Sequence, residues 1–484
     1  MPNLREQWRR LARIVSAVTG VVVAVTFFLG DYPQKKLLLP ALIALGLLLI
    51  LYRKVSAREW FSDFCDRNYF ILAFLLIIVG ASLRFAWALG SGVKQTSDFA
   101  SWANEAAQMF ESHANLHLMK PQGPSFVALF IYELIGRVSE TAVLVFIALL
   151  STIQIWLVLL CSKRWFGAFP SLFTGLLMVF WPENILYVNL FGNEVYLSIL
   201  AFLGFYLLVC LRGQYLTTRY LLVSGMAGLV FGIGQYFRGT AALLMFSMAI
   251  VLLLDLNGLR KTLAFSIGFF IATSPYIYLN YSQYGIFSVA PSQFSGYTLF
   301  IGTNLKSNGG YYAEYAQEID AEYQIVRRSP GFVQLPEAVA KNKLAGQIAV
   351  SRLVENPWEY LRLGLTYKLP VFLLEPAGLA WSLEGSILET QAPKLIKWLD
   401  SWSRFFHLFI MSFVCFAFLA AAIRPLPESA RVLFPIGLFT LALAGLHTIA
   451  EMQPKYHHVL SGFWVLSAAP ALAYLRKGRQ EINL

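Results

Sequence analysis

Long apolar runs separated by short basic connectors dominate this chain. Runs close to the roughly 20 residues needed to cross a bilayer lie near 14–30, 37–52, 69–89, 141–161, 168–187, 192–211, 220–237, 240–256, 262–280, 403–423, 432–450 and 456–475. Two further apolar stretches, 122–136 and 361–374, are shorter. Basic residues decide the threading. Arg53, Lys54 and Arg58 follow the second run, Lys163 and Arg164 the fourth, and Arg212 and Arg219 separate the sixth from the seventh. Arg260 and Lys261, then Arg424 and Arg431, then Arg476, Lys477 and Arg479 complete the set. All of them fall on one face only if the twelve long runs cross and the two short ones do not. Lys and Arg accumulate on the cytoplasmic side, so both termini are expected there. The short stretches are expected to be helices lying on the outer surface.

The N-terminus imitates a signal peptide, with Arg5, Arg9, Arg10 and Arg13 ahead of an apolar run from Ile14 to Gly30. No small-x-small cleavage site precedes Asp31-Tyr32-Pro33, and a second run starts at Leu37, so a retained first span is expected. The expected organisation is two additional N-terminal spans in 1–68, a transmembrane core in 69–280 containing a first outer loop at 90–140, an extracytoplasmic region with an interfacial helix at 281–402, and C-terminal spans in 403–484. Residues 281–360 carry six basic and seven acidic side chains, without the cytoplasmic bias, and the most polar sequence runs from Tyr311 to Arg328. Polar chemistry is thus concentrated at the extracytoplasmic face.

Composition removes the soluble classes. Of 484 residues, 57% are hydrophobic and 13% charged, and mean hydropathy is +0.60. A soluble domain carries about 25% charged residues. The chain is read as an all-α polytopic membrane protein. Its net charge of +11 suits anionic headgroups. No basic run is interleaved with exposed aromatics, so nucleic acid is excluded as a partner. Cys65, Cys161, Cys210 and Cys415 are isolated, with no CxxC pair.

Three places concentrate candidate chemistry. Asp98 follows Thr96 and Ser97 at the start of a predicted helix, where it either caps that helix or acts as a base at the membrane–water boundary. Glu105, further along, is a second polar partner or part of a solvated face. Lys120, in Lys120-Pro121-Gln122-Gly123-Pro124, either binds a lipid phosphate or snorkels, and the same two readings apply to Arg238. Between the last two spans, His447 to His458 brings together Glu451, Lys455, Tyr456, His457 and His458. His447 and Glu451, like His113 and His117, have the i, i+4 spacing that metal sites use, although a hydrogen-bonded pair is the preferred reading and no metal site is assigned. Gly228 and Gly232 are spaced for close helix packing.

Taken in order, these features resemble the GT-C glycosyltransferases of the protein O-mannosyltransferase and lipid A aminoarabinose transferase type (family 39-like). Asp98 and Lys120-Pro121-Gln122-Gly123-Pro124 stand where that family has an acidic residue opening the first outer loop and a Lys-Pro-Pro-type turn. Asn280-Tyr281-Ser282-Gln283-Tyr284-Gly285 and Gly302 to Tyr312 look like its "RNY..G" and "GNNP..GGYY" stretches, and Glu451 to His457 looks like its terminal "E..pRYh" segment. Two departures stand out: Ser97-Asp98-Phe99 replaces the frequent Asp-Glu, and Lys455 replaces Arg, which loses bidentate phosphate geometry. The resemblance covers about 69–475.

The resemblance implies a GT-C fold with about twelve transmembrane helices, interfacial helices in the first outer loop and a larger extracytoplasmic region of mixed structure. It further implies an inverting transfer of sugar from a polyprenyl-phosphate donor to an acceptor hydroxyl at the extracytoplasmic face of a plasma (inner) membrane. Asp98 would be the general base, Lys455, His457, Arg238 and Lys120 would bind the donor phosphate, and Glu105, Glu451, Tyr456 and His458 would support them. The acceptor would be a glycolipid, a cell-wall polymer or a protein. No cofactor is expected; a divalent metal is compatible with the pattern but not indicated by it. The competing readings are a polyprenyl-diphosphate-dependent glycan ligase or polymerase, and a twelve-span secondary transporter.

Overall fold

The computed structural model describes residues 2–29, 35–55, 59–112, 120–209, 218–255, 258–289, 292, 294–377, 379–383, 391–424 and 426–480. His113, His117, Cys210, Arg58 and Arg212 lie outside them. Helices α1 (Pro2–Thr26), α2 (Lys35–Val55), α3 (Glu59–Arg67) and α4 (Tyr69–Gly90) lead into α5 (Ser97–Ser112) and α6 (Gly123–Ile135), which fall in the segment expected to be the first outer loop. Then come α7 (Glu140–Phe166), α8 (Ala168–Phe180), α9 (Pro182–Leu186), α10 (Asn193–Val209), α11 (Thr218–Gln235), α12 (Thr240–Leu253) and α13 (Gly258–Tyr284). The region 281–402 contributes α14 (Ser295–Gly302), α15 (Tyr315–Val326), α16 (Glu337–Glu355), α17 (Pro357–Leu363), α18 (Leu369–Leu374) and α19 (Leu379–Leu383). The chain closes with α20 (Pro393–Ile423), α21 (Pro427–Ile449), a 3-10 turn at Pro454–Leu460, α22 (Ser461–Leu466) and α23 (Ala468–Gln480). No strand occurs among the described residues, so the described part of 281–402 is helices and turns rather than mixed.

Each of the twelve predicted runs contains a helix among the described residues. Among the described residues, six helices are long and apolar enough to cross a membrane, and a seventh span results if α8 and the segment Pro182–Asn189 count together across their 56° bend. The other runs are shorter or less apolar. Helix α7 shows the local logic. The Ser139 hydroxyl accepts from Ala142 N at its start, Glu140 lies in the first turn, and Lys163 and Arg164 lie in the last, matching the helix dipole at both ends. Helix α8 stops at Trp181-Pro182, in mid-protein, which leaves carbonyls without partners. The buried Arg84 supplies one, donating to Met178 O at 3.0 Å while its Nε donates to Ser151 Oγ at 2.8 Å.

Packing is closest between α11 and α13. A Cβ at Gly228 would lie 1.9 Å from Phe265 O, and one at Gly268 would lie 2.0 Å from Gly225 O, so the backbones touch as the glycine spacing predicts. Helix α1 packs on α20 and α21, and α2 on α20, so the two additional helices are built into the bundle.

The two short apolar stretches behave differently. Helix α6 buries Gly123, Ala128 and Tyr132 and exposes Phe130 and Leu134, as an interfacial helix does. The stretch 361–374 departs from expectation: Leu361, Leu365 and Tyr367 are exposed, but every residue of α18 is buried. Lys368 makes the turn inward. Its Nζ donates to Gly302 O at 2.8 Å, Ile449 O at 3.1 Å and Ala450 O at 2.8 Å, which caps α21 and clips α14 to it. Lys368→Met leaves those carbonyls short of a buried donor, a loss of about 1–3 kcal/mol. A lower thermal midpoint of the purified protein is the expected result, with Lys368→Arg closer to wild type.

Candidate functional site

The site is built where α5 begins. Ser97 adopts a left-handed backbone (φ 50°), which places Asp98 in the first helical turn. Asp98 Oδ1 accepts from Lys120 Nζ at 2.7 Å, and both side chains are 42% exposed. Two bonds hold α6 in register with α5: Trp102 Nε1 donates to Pro121 O at 2.8 Å, and Ser125 Oγ donates to Glu105 Oε2 at 2.8 Å. Glu105 therefore ties α5 and α6 together and sets Lys120 opposite Asp98. Burial pushes the Asp98 carboxyl up, but Lys120, Lys455 and Arg238 together outweigh it and hold the group below its ordinary value.

Lys455 comes from the 3-10 turn after Pro454. The residue is 7% exposed, and its ammonium lies over aromatic faces, 5.4 Å from the Phe99 ring centre, 5.2 Å from Trp381 and 5.9 Å from Tyr456. No hydrogen bond or ion pair holds it among the described residues. An unpaired cation in such a place is strongly disposed to take up an anion. Arg238 is already committed: Nη1 donates to Glu194 Oε1 at 2.9 Å, and the guanidinium carbon lies 3.9 Å from the Tyr456 ring centre. Burial pulls Arg238 down, but Glu194, Tyr456, Tyr187 and Glu451 together outweigh it and hold the group above its ordinary value. Burial raises the Glu451 carboxyl, against the pull of Gln453, Lys455, Tyr456 and Arg238.

The region following α13 closes over this group. Glu451 N donates to Thr298 O at 2.8 Å and Met452 N to Gly309 O at 3.0 Å. Asn308 and Gly309 are both left-handed (φ 53° and 71°), and a Cβ on Gly309 would meet Lys368 Cε at 2.2 Å. Only glycine fits there. Phe294, Tyr297, Tyr311, Tyr312 and Tyr315 form an aromatic cluster above, with Tyr315 near enough to Glu451 and Asp98 to feel both.

The structure brings Asp98, Lys120, Lys455, Arg238, Tyr456 and Glu451 together and leaves His457 and His458 apart. His457 is fully buried, with Nε2 2.9 Å from Glu183 Oε1 and Nδ1 2.7 Å from Phe372 O, so neither ring nitrogen faces Asp98's surroundings and the phosphate role expected of it has no geometric support. His458 stacks on Tyr187, ring centres 4.4 Å apart. His447 Nδ1 faces Glu451 O rather than its carboxylate, so that pair shares no metal geometry. Sequence reasoning missed Glu183, Glu194, Trp381 and His407. The two glutamates had a signal, since each is an acid inside an apolar run.

Residues 119–279 match the family model described as dolichyl-phosphate-mannose-protein mannosyltransferase. That stretch is 161 of the 484 residues, a third of the chain. It includes Lys120, Glu183, Glu194 and Arg238 but neither Asp98 nor Lys455. Among solved structures, the archaeal oligosaccharyltransferase AglB from Archaeoglobus fulgidus, in complex with an inhibitory peptide and a dolichol-phosphate, is similar at 12% identity and a TM-score of 0.47 over 88% of this chain and 52% of that one. ArnT from Cupriavidus metallidurans bound to undecaprenyl phosphate is similar at 16% identity and a TM-score of 0.36, over 85% of this chain and 77% of that one. The chain thus spans about half the length of the AglB chain. No curated protein sequence matches it. The matched segment contributes α6 through most of α13, while α5 and the C-terminal turn lie outside it.

Proposed function

We propose that this chain is an integral-membrane, inverting glycosyltransferase that moves a sugar from a polyprenyl-phosphate donor to an acceptor hydroxyl at the extracytoplasmic face. The observation that carries this is the pairing of an ionised, half-exposed Asp98 with the unpartnered ammonium of the buried Lys455. The acceptor oxygen attacks the anomeric carbon, the bond from that carbon to the phosphate oxygen breaks, the lipid phosphate departs, and Asp98 takes the hydroxyl proton. Lys455 stabilises the charge gathering on the phosphate. Lys120 links the two tasks: a phosphate drawn into the pocket competes for its ammonium and loosens its hold on Asp98. Arg238 and Tyr456 form the wall beside Lys455, and the aromatic cluster of the outer region is suited to receive the acceptor. The basic connectors support cytoplasmic termini and an outer active face.

The test is transfer of labelled sugar from polyprenyl-phosphate donors to a native lipid extract, in membranes containing the full chain. Wild type is expected to transfer. Lys455→Met is expected to lower kcat/KM for the donor by about 10–100-fold, the loss of one charge-assisted contact, with kcat falling as well because the charge on the phosphate grows in the transition state. Transfer only from polyprenyl-diphosphate donors would favour a ligase or polymerase instead.

A further inference from the structure

Behind the Asp98 pocket, the bend after α8, helix α20 and the 3-10 turn bring Glu183, His407 and His457 together, with all three side chains at 0% exposure. His407 Nδ1 lies 3.2 Å from Glu183 Oε2, and His457 Nε2 lies 2.9 Å from Oε1. The other nitrogen of each ring faces a main-chain carbonyl: His407 Nε2 is 3.0 Å from Leu373 O, and His457 Nδ1 is 2.7 Å from Phe372 O. A carbonyl only accepts, so those outer nitrogens carry the hydrogens. In neutral rings the two inner nitrogens are then bare lone pairs, both aimed at carboxylate oxygens.

The donor count does not close without something more. One proton on the carboxyl satisfies one contact and leaves the other lone pair to lone pair. Two extra protons satisfy both, but leave at least one imidazolium at zero exposure. A divalent cation satisfies both with neutral imidazoles and an ionised carboxylate, the states that metal binding requires. The outer N–H···O=C contacts are those that orient metal-ligating histidines. A further observation points the same way. His458, 2% exposed, holds Nδ1 3.5 Å from Glu183 Oε1, and that nitrogen makes no hydrogen bond among the described residues.

We propose that Glu183, His407 and His457 hold a divalent ion of the zinc class, with His458 Nδ1 as the additional nitrogen at hand. The donor atoms of the first three lie within 4.8 Å of one another, and tetrahedral bonds of about 2.0–2.2 Å bring such atoms to about 3.3–3.6 Å. The ligands are 224 and 274 residues from Glu183, so spacing could not show the site. With no ligand exposed, the ion is structural. It clasps α18, α20 and the bend after α8 behind the turn that presents Lys455 and Tyr456.

The full chain, produced in zinc-supplemented medium and purified in detergent, is washed with EDTA to strip surface ions, and its metal is counted by mass spectrometry. About one zinc per chain is expected, lost in His407→Gln and His457→Gln. Cells grown with cobalt in place of zinc should yield protein with the visible bands of a four-coordinate nitrogen–oxygen site. X-ray absorption at the zinc edge of wild type counts imidazole ligands, which decides the matter even where a variant fails to fold. A washed wild type nearly free of metal, an ion lacking two imidazoles, or full zinc retained in a folded Glu183→Gln/His457→Gln variant would each overturn the site. No sugar transfer enters the experiment, so its outcome is independent of the proposed activity.

Discussion

Asp98→Asn is expected to lower sugar transfer by about 10²–10⁴-fold, the range supplied by a positioned general base. Asparagine keeps the shape of the side chain and a place in the first turn of α5, where it can still interact with the Lys120 side chain. It gives up the charge and the capacity to take a proton. The loss should therefore fall on kcat at saturating donor, in a protein whose thermal midpoint changes little. A variant that transfers at the wild-type rate would remove Asp98 from the chemistry. The pH profile gives a second handle. The cations around Asp98 hold its folded pKa below its ordinary value. A carboxyl shifted downward stays ionised above its unfolded value, and its contribution disappears only as pH falls through the lower, folded value. Transfer should thus show no acid limb from Asp98 between about pH 5 and 8, because the ordinary carboxylate range near 4 is already its upper bound. An acid limb near pH 6 that disappears in Asp98→Asn would mean that the carboxyl is held up rather than down.

Helix content and order were legible because apolar runs of span length have few alternatives to helix in a bilayer. The first-loop and C-terminal clusters were legible because ionised side chains are scarce in such a chain, and the fold brings Asp98, Lys120, Arg238 and Lys455 into one neighbourhood. What stayed hidden has a common cause. Whether a polar group in an apolar run faces solvent, substrate or another polar group depends on contacts between distant segments. His457 sits two residues from Lys455, yet a 3-10 turn rather than an α-helix points it at Glu183, 274 residues away. The stretch 361–374 has the composition of a surface helix. It turns inward at Lys368 because the carbonyls ending α21 offer that ammonium acceptors that water would otherwise provide.

The buried pair of Arg238 and Glu194 carries the largest stability prediction. Glu194 is 3% exposed and has no water to fall back on, while Arg238 is 19% exposed. Arg238→Met leaves a carboxylate in the first turn of α10 without its cation. Breaking one side of a buried pair costs about 3–5 kcal/mol, whereas replacing both sides by apolar groups is often close to neutral. Arg238→Met should therefore lower the thermal midpoint markedly, and the double variant Arg238→Met/Glu194→Leu should recover most of the loss. Equal stability of the single and double variants would show that burial, not pairing, sets the behaviour of Glu194. Activity should not recover with stability. The guanidinium lies 3.9 Å from the Tyr456 ring, and Tyr456 in turn faces the Lys455 ammonium, so the double variant keeps the fold while losing the wall against which Lys455 is set. A double variant regaining both stability and transfer would make Arg238 a structural anchor alone.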